Sequence, residues 1–359
     1  MKKIAIVGLH DTGSSVVDDL LRECDNIAQG LGGAEIRVLH DTDGISDLEY
    51  HLVKDPQRLA STLAIRRFIA YCDSQDRMVR KLVGNKWKEK SLEYAESLCK
   101  LNYKGWLPGD RIFFPFWKRK WLTFLLALNK FLPKPFKKQR WYNFFPNEKT
   151  YFSSLTEEEF LSKTKKYVNW ICEMMNPENK EYLVLDQFAS SHNPCNACRY
   201  TDNLKVIIVD RDPRDLYIHD VKLYKEHILA PEALDFAKQY RLIRREVFAD
   251  EPSKVLRVYY EDLIYKYEET TKLIFDFLDI DPNVHHINKK RFFNPAISIN
   301  GTMLWKKYPQ YEEEVKIITE ELRDMLYPYP KNADSIREQI QAGKDSNELL
   351  YSFMHMDDL

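Results

Sequence analysis

The beginning of the chain changes from one periodic pattern to another within about twenty residues. Residues 3–7 form a short apolar run that predicts a buried strand, and residues 16–21 place Val and Leu at helical spacing. Between them stand two glycines, Gly8 and Gly13. Glycines let a backbone turn its N–H groups toward an anion, and the start of a helix carries positive potential. The pattern therefore predicts a phosphate-binding loop.

This loop differs from the loop that grips the terminal phosphates of ATP. The ATP-binding pattern G-x-x-x-x-G-K-[ST] has Lys directly after its second glycine, whereas this chain has Ser14 there. An ordinary strand-turn-helix unit with Ser or Thr at the helix start is the open alternative. The candidate anion-binding residues of the loop are His10, Thr12, Gly13, Ser14 and Ser15.

The rest of the pattern predicts an α/β fold. Strands are predicted over 35–40, 181–186, 204–210 and 254–260, and helical spacing runs through 47–104. Thr156 and Glu159 form a capping-box pattern that opens another helix. Alternating strands and helices indicate a three-layer sandwich with a central parallel sheet. We expect one domain over 1–330 with an insert at about 105–150, followed by a tail over 331–359.

Composition narrows the class of protein. The chain has 359 residues and a formal net charge of −1, which argues against general nucleic-acid binding. A strand that begins near residue 3 leaves no room for a signal peptide, and no apolar run approaches the ~20 residues of a membrane span. Six scattered cysteines suit a reducing compartment. We therefore expect a cytoplasmic protein, with a peripheral position at the inner membrane face as an alternative.

Several predicted strands end in residues that can carry chemistry. The strand over 35–40 ends at His40, with Asp41 and Asp43 behind it, and the strand over 181–186 ends at Asp186. Ligands of open parallel sheets sit beyond these carboxyl ends, so these side chains are candidate bases. The turn-forming role of Asp43 before Gly44 is an alternative. His192, Cys195 and Cys198 lack an obvious fourth ligand, so no metal site is predicted.

Arg211 follows the strand predicted over 204–210 and therefore lies at the same edge of the sheet. An arginine in this position is suited to pair with an anion. The run 211–215, Arg-Asp-Pro-Arg-Asp, also reads as a helix start in which Pro213 lies in the first turn. Both interpretations hold together.

Four motifs in this order resemble the sulfotransferases that use 3′-phosphoadenosine 5′-phosphosulfate (PAPS), most closely those that act on carbohydrates. The motifs are Thr12-Gly13-Ser14-Ser15, the run 211–215, Tyr260-Glu261-Asp262-Leu263 with Phe277-Leu278-Asp279-Ile280, and Trp305-Lys306-Lys307-Tyr308. Together they extend over most of residues 3–310. The resemblance implies a sulfotransferase that uses PAPS, releases adenosine 3′,5′-bisphosphate and needs no metal.

The resemblance also implies a division of labour among the binding residues. The loop would hold the 5′-phosphosulfate, Arg211 would pair with the 3′-phosphate, and Tyr260 would lie near the adenine. His219 stands where the family usually has a serine that touches the 3′-phosphate, so affinity would rise as pH falls through the histidine pKa. The late candidates for the nucleotide are Ser298, Asn300, Trp305 and Lys307. Relatives carry an Arg-Lys-Gly cluster in place of 298–302, so weaker 3′-phosphate binding is expected.

In the carbohydrate-modifying branch of the family, an acid or a histidine after the second strand often acts as the base. The resemblance therefore makes His40, with Asp41 and Asp43 behind it, the first choice for this role.

Asp11 is the main departure from the family pattern. Relatives typically have Lys there, and a carboxylate about 4 Å from a phosphosulfate would cost roughly 4 kcal/mol at an effective dielectric of 20. Asp11 could act as a base on the acceptor side, Lys306 or Lys307 could supply the missing cation, or the protein could bind nucleotide and catalyse poorly. A P-loop nucleotide kinase is the rival enzyme class, disfavoured by Ser14.

The insert mixes basic and aromatic residues. Residues 111–141 contain no Asp or Glu but nine Lys or Arg among many Phe and Trp. Such a mixture suits an anionic glycan or an anionic membrane surface. The alternative is a helix packed on the fold, in which the lysines bury their apolar stems and keep their charged ends in water. The expected partners are thus a carbohydrate or glycolipid acceptor and an anionic membrane.

Overall fold

The computed structural model describes residues 1–30, 35–56, 60–75, 86–105, 114–136, 148–225, 228–244, 250–285 and 290–342. The chain divides into two compact units. The first unit comprises Met1–Arg37 and Ile171–Leu359, and the second unit comprises Val38–Trp170. The single domain expected over 1–330 stays a prediction.

The first unit is built on a five-stranded parallel sheet. Its strands are β1 (Lys2–Gly8), β2 (Ile27–Gln29), β5 (Tyr182–Asp186), β6 (Leu204–Asp210) and β7 (Val255–Tyr259), in the order β2-β5-β1-β6-β7. Ile6 pairs with Asp186 on one side and with Ile207 on the other. The carboxyl ends of β5, β1 and β6 therefore meet at one edge, where ligands of such sheets bind.

Both faces of the central strands are buried. Ile4 and Ile6 belong to one apolar cluster with Val17 and Leu20 of the first helix, while Ala5 and Val7, which alternate with them along the strand, are also buried. A separate buried cluster includes Phe236 of a later helix. A continuous apolar strand is typical of a parallel sheet covered by helices, and the predicted α/β fold with a central parallel sheet is confirmed.

The second unit contains a two-stranded antiparallel sheet of β3 (Leu101–Gly105) and β4 (Glu148–Phe152). Thr62 fixes a neighbouring helix to this sheet, since its Oγ1 donates a 2.7 Å hydrogen bond to the carbonyl oxygen of Tyr151. Tyr94 and Tyr167 stack at 4.3 Å between ring centroids inside the unit. These contacts give the second unit a core of its own.

Helices make up most of the remaining described chain. The α-helices span Ser15–Arg22, Ile45–Glu49, Ala60–Ser74, Lys86–Ser97, Phe116–Phe131, Glu157–Met174, Pro194–Tyr200, Pro213–Leu216, Ala233–Ile243, Tyr260–Tyr265, Tyr267–Leu278, Pro295–Ser298, Leu304–Lys307, Glu312–Glu321 and Ala333–Ala342. Tyr50–Lys54 and Tyr217–Tyr224 are π-helical, and Pro282–His285, Ile299–Gly301, Pro309–Tyr311 and Arg323–Met325 are 3₁₀-helical. Within the described ranges, none of these helices is long and apolar enough to cross a membrane.

The predicted capping box is present. The backbone N–H of Thr156 donates to Oε2 of Glu159 at 3.1 Å, and the N–H of Glu159 donates to Oγ1 of Thr156 at 3.2 Å. Each side chain thus satisfies a backbone donor that the first helical turn leaves open. The helix over 157–174 begins where the pattern predicts.

The strand predicted over 35–40 is wrong. Residues 35–37 are irregular and 38–40 form a turn. The carbonyls of Val38 and Leu39 accept hydrogen bonds from the N–H groups of Ile45, at 2.8 Å, and Ser46, at 3.1 Å, so the chain folds back on itself. Val38 and Leu39 are buried without pairing in a sheet, and this burial produces their apolar pattern. The sheet edge is instead β2, whose three residues are too few to show a period.

Candidate functional site

The loop after β1 turns sharply before the first helix begins at Ser15. His10 and Asp11 have φ of 31° and 30°, in the left-handed region that non-glycine residues seldom adopt, and Gly13 has φ of 85°. A Cβ on Gly13 would lie 2.6 Å from Cδ2 of Tyr260. Glycine is therefore required here for conformation and for space, because the loop lies directly against the Tyr260 ring.

Thr12 supplies an unused donor inside this loop. Its side chain is 1% exposed, and Oγ1 has no hydrogen-bond partner within the part of the chain that the structure describes. Ser14 is fixed from the neighbouring strand end, where Nε2 of Gln187 lies 3.4 Å from Oγ of Ser14. A buried hydroxyl without a partner is unfavourable unless a ligand completes it. The loop and the helix start at Ser15 therefore fit an anion.

Arg211 lies against the same loop. It is 3% exposed, Nη1 donates to the carbonyl oxygen of Asp11 at 2.9 Å, and Nη2 donates to the carbonyl oxygen of Gly301 at 2.7 Å. Its guanidinium lies 5.0 Å from the centroid of the Tyr260 ring. Within the described residues, Nε is buried without a partner. The hydrogen bonds described for this guanidinium go to neutral carbonyls, while its charge also acts on the carboxyl groups of Asp11 and Asp215 and favours the ionised form of each. Its open Nε donor can pair with an anionic ligand.

Tyr260 joins the loop to the late segment. Its hydroxyl donates to the carbonyl oxygen of Ser298 at 2.6 Å, and burial raises its pKa to about 12, so it remains a donor near neutral pH. A Cβ on Gly301 would lie 2.8 Å from that hydroxyl oxygen. Asn300 accepts from Lys307 through its backbone and from Gln341 through its side chain. The described contacts of Ser298 and Asn300 thus include backbone carbonyls, whereas the sequence suggested side-chain donors.

The late basic residues have different surroundings. Nζ of Lys306 pairs with Asp334 at 2.9 Å. Nζ of Lys307 donates to the carbonyl oxygen of Asn300 at 2.5 Å, and burial, followed by the repulsion of Arg337, lowers its pKa to about 8. Lys307 therefore contacts the segment that also receives Arg211.

Trp305 packs beside the cation of Arg214, whose guanidinium carbon lies 4.5 Å from the centroid of the Trp305 ring. This stacking gives Trp305 a structural role in the first unit. The role predicted for it in nucleotide binding stays a prediction.

Two histidine–aspartate pairs flank the loop. Oδ2 of Asp11 lies 3.7 Å from Nδ1 of His219, and Oδ1 of the fully buried Asp220 lies 2.8 Å from Nε2 of His10. The nearby side chain of His219 lowers the pKa of Asp11 against the opposing effect of burial, so Asp11 is an anion near neutral pH. One ligand atom from each of His10, Asp11 and Asp220 lies within 4.8 Å of the others, a set that could hold a divalent ion.

The acids after Arg211 have structural roles, and the role of Asp215 is one that the sequence did not indicate. Asp215 is fully buried and accepts from the N–H groups of Met303, at 2.8 Å, and Leu304, at 2.6 Å, and from the hydroxyl of Tyr329 at 2.7 Å. Asp212 caps the short helix Pro213–Leu216 and pairs with Arg214 at 2.7 Å. The run 211–215 thus includes a helix start, as predicted, and also fixes a segment about ninety residues later.

Asp186 lies at the end of β5, directly beside β1. Its Oδ1 is buried and has no hydrogen-bond partner within the described chain. Burial, reinforced by the charge of Asp18, raises its pKa from 3.8 to about 7. A carboxyl group with a pKa near neutrality at the carboxyl end of a parallel strand is a candidate general base.

The other candidate bases lie in the second unit. The strand end that was to present them is absent, because residues 38–40 form a turn. Oδ2 of Asp41 accepts from the hydroxyl of Tyr71 at 3.0 Å, and Asp43 pairs with Arg67 at 2.8 Å within the same unit. Asp43 has φ of 66°, in keeping with its turn-forming interpretation, and His40 lies in the turn.

The fold and the site together define an α/β protein with a sharply turned loop between β1 and the first helix and a buried arginine after β6. No protein-family model and no curated protein matches the chain. A search of solved structures finds retinol dehydratase in complex with androsterone and the inactive cofactor PAP, with 13% identity, 92% of this chain and 84% of that chain covered, and a TM-score of 0.30. So loose a similarity carries no argument about function, which rests here on the residues of the site.

Proposed function

We propose that this protein is a sulfotransferase that moves the sulfuryl group of PAPS to a hydroxyl or amine of a carbohydrate acceptor. The observation that carries the proposal is Arg211, a buried guanidinium that lies between the loop of Asp11 and the late loop of Gly301. The resemblance of the sequence motifs to this family supports the same conclusion. A cation here matches a nucleotide with charge at both ends of its ribose.

The donors of the loop and of Arg211 divide between the two ends of such a nucleotide. The hydroxyl of Thr12, the N–H groups at the helix start and the hydroxyls of Ser14 and Ser15 suit the 5′-phosphosulfate. Nε of Arg211 suits the 3′-phosphate, and His219, whose Nδ1 lies 3.7 Å from Oδ2 of Asp11, is a second candidate for that phosphate. Tyr260 offers a ring face to the adenine, in competition with its stacking on Arg211.

Transfer requires an acceptor oxygen or nitrogen to bond to sulfur while the bond from sulfur to the bridging oxygen breaks. The bound nucleotide supplies the sulfuryl group and an anionic leaving group, adenosine 3′,5′-bisphosphate. Asp186 accepts the proton that the acceptor loses, because its raised pKa matches this task near neutral pH. His40, Asp41 and Asp43 remain candidates from the second unit.

Lys307 is the better candidate for the cation that Asp11 does not supply. It contacts Asn300, next to the loop held by Arg211, whereas Lys306 pairs with Asp334. Lys307→Ala should slow transfer at least tenfold, while Lys306→Ala serves as the neighbouring control. A wild-type rate of sulfate transfer in the Lys307→Ala variant would show that Lys307 does not supply this cation.

The proposal needs no metal, because arginine, lysine and backbone donors provide the positive charge. Transfer should continue in the presence of a chelator. Loss of activity on chelation and recovery with Mn²⁺ would instead assign a metal to His10, Asp11 and Asp220.

The proposal extends to the acceptor and to the location of the protein. A carbohydrate or glycolipid acceptor in the cytoplasm follows from the style of the motifs and the basic aromatic insert. A nucleotide-binding protein that catalyses weakly is the second candidate, favoured by the anionic Asp11.

Calorimetry and a transfer assay test these alternatives in order. Adenosine 3′,5′-bisphosphate should bind and ATP should bind far more weakly, since Ser14 replaces the lysine of ATP-binding loops. Labelled PAPS should then transfer sulfate to one of a panel of glycans. Preference for ATP would overturn the assignment, and nucleotide binding without any transfer would favour the weakly catalytic alternative.

A further inference from the structure

The helix Phe116–Phe131 of the second unit presents large apolar side chains to water. Trp117 is 69% exposed, Trp121 52% and Phe131 85%. Phe116, Phe124 and Leu128 are exposed as well, while Leu122 is the fully buried member of the helix. Singly exposed apolar residues are ordinary, but six on one short helix mark an interaction surface.

The exposed apolar residues share one side of the helix. At 100° per residue, positions 116, 117, 121, 124, 128 and 131 fall within an arc of about 140°. Leu122 lies opposite the centre of this arc, which accounts for its burial. The helix therefore has a narrow buried face and a broad aromatic face toward solvent. We call these six residues the aromatic face.

Positive charge surrounds the aromatic face. Lys118, Arg119, Lys120 and Lys130 lie on the same helix, and the sequence from 111 to 141 contains no acid. Nζ of Lys120 lies 5.3 Å from the centroid of the Phe116 ring. Arg111, Phe113, Lys137, Lys138, Arg140 and Trp141, which complete the basic aromatic pattern, lie outside the described residues.

We propose that this helix docks on an anionic membrane surface, lying in the plane of the headgroups. Tryptophan and phenylalanine enter the boundary between headgroups and acyl chains, while lysine and arginine meet lipid phosphates. A second copy of the chain is a poorer occupant, because it would place these cations against identical cations. A soluble polyanion would satisfy the cations but leave the aromatic face in water. Membrane docking would bring the protein to lipid-linked acceptors, although the inference does not depend on the proposed reaction.

Vesicle flotation with the full chain tests the inference. Wild-type protein should float with phosphatidylcholine vesicles that contain about one-third phosphatidylglycerol and much less with phosphatidylcholine alone. Trp117→Ser with Trp121→Ser should lower binding about tenfold or more, since it removes two interfacial anchors. The matched control, Tyr224→Ser with Leu242→Ser, removes two equally exposed apolar side chains from another unit and should bind normally.

A second pair of variants tests the electrostatic part. Lys120→Glu with Lys130→Glu should lower binding to anionic vesicles about tenfold or more. Lys272→Glu with Lys316→Glu changes the net charge equally at exposed sites elsewhere and should have little effect.

Several outcomes would overturn the inference. Absence of wild-type flotation would do so, as would equal flotation of the tryptophan variant and its control. A change in sedimenting mass of the tryptophan variant, without any vesicle binding, would assign the aromatic face to a second copy. Circular dichroism checks that each variant folds, and calorimetry with adenosine 3′,5′-bisphosphate reports separately on the nucleotide site.

Discussion

Replacement of Asp186 by Asn tests the proposed base through both stability and rate. The variant keeps the size and one oxygen of the side chain but cannot ionise. In the wild type, Oδ1 is buried without a partner and burial raises the carboxyl pKa from 3.8 to about 7. The folded protein therefore retains a proton at pH values where the unfolded chain has already released it.

The sign and size of the effect follow from this difference in pKa. A raised folded-state pKa contributes stability below the unfolded value, and the contribution is lost as pH rises through about 7. From pH 5 to pH 8 the wild type should lose about 3 kcal/mol of unfolding free energy relative to a chain without this group. Asp186→Asn should lack this loss, so its stability relative to wild type should increase with pH.

Urea unfolding at pH 5 and pH 8 measures the difference. Asp235→Asn, which removes an exposed carboxylate from a surface helix, is the control for the change in charge. In parallel, the wild-type transfer rate should rise through a midpoint near pH 7, and the variant should lose about 10²- to 10⁴-fold in rate at high pH. Identical pH dependence of unfolding in wild type and variant would refute the raised pKa, and an unchanged rate would refute the role as base.

Three further changes probe the loop after β1. Thr12→Val should weaken binding of adenosine 3′,5′-bisphosphate about tenfold by calorimetry without lowering stability, because the lost hydroxyl has no described protein partner. Thr12→Ser should restore binding. Tight binding by the valine variant would show that the Thr12 hydroxyl does not contact the nucleotide. Asp11→Asn should strengthen nucleotide binding about tenfold or more by removing a nearby negative charge, and weaker binding would show that the carboxylate assists the site. Gly13→Ala should lower the free energy of unfolding by about 1–3 kcal/mol because its φ is 85° and its Cβ would meet Tyr260, whereas wild-type stability would contradict the described loop.

The sequence predicts the central sheet well because each long strand is rich in apolar residues. β6 spans Leu204–Asp210, the full predicted range, and β5 and β7 fall within one residue of the predicted bounds. β2 could not be predicted, because three residues carry no period. The strand prediction over 35–40 is wrong because a buried turn contains the same apolar residues as a strand.

For the site, local sequence predicts which residues follow each strand but not the long-range contacts. The position of Arg211 at a strand end is readable, and its functional role stays a prediction. The hydrogen bonds that Asp215 accepts from the N–H groups of Met303 and Leu304 join residues about ninety positions apart. Burial of a strand-end acid is a usable signal for Asp186, but the unpartnered oxygen that raises its pKa appears only in the folded chain.

The most direct measurement of the central claim is a comparison of two nucleotides by calorimetry. Wild-type protein should bind adenosine 3′,5′-bisphosphate about 10- to 100-fold more tightly than adenosine 5′-monophosphate, because a contact between Arg211 and the 3′-phosphate is worth about 1.5–3 kcal/mol. Arg211→Gln should bind both nucleotides with similar affinity. Equal affinity of the wild type for the two nucleotides, or an undiminished preference in Arg211→Gln, would contradict the claim.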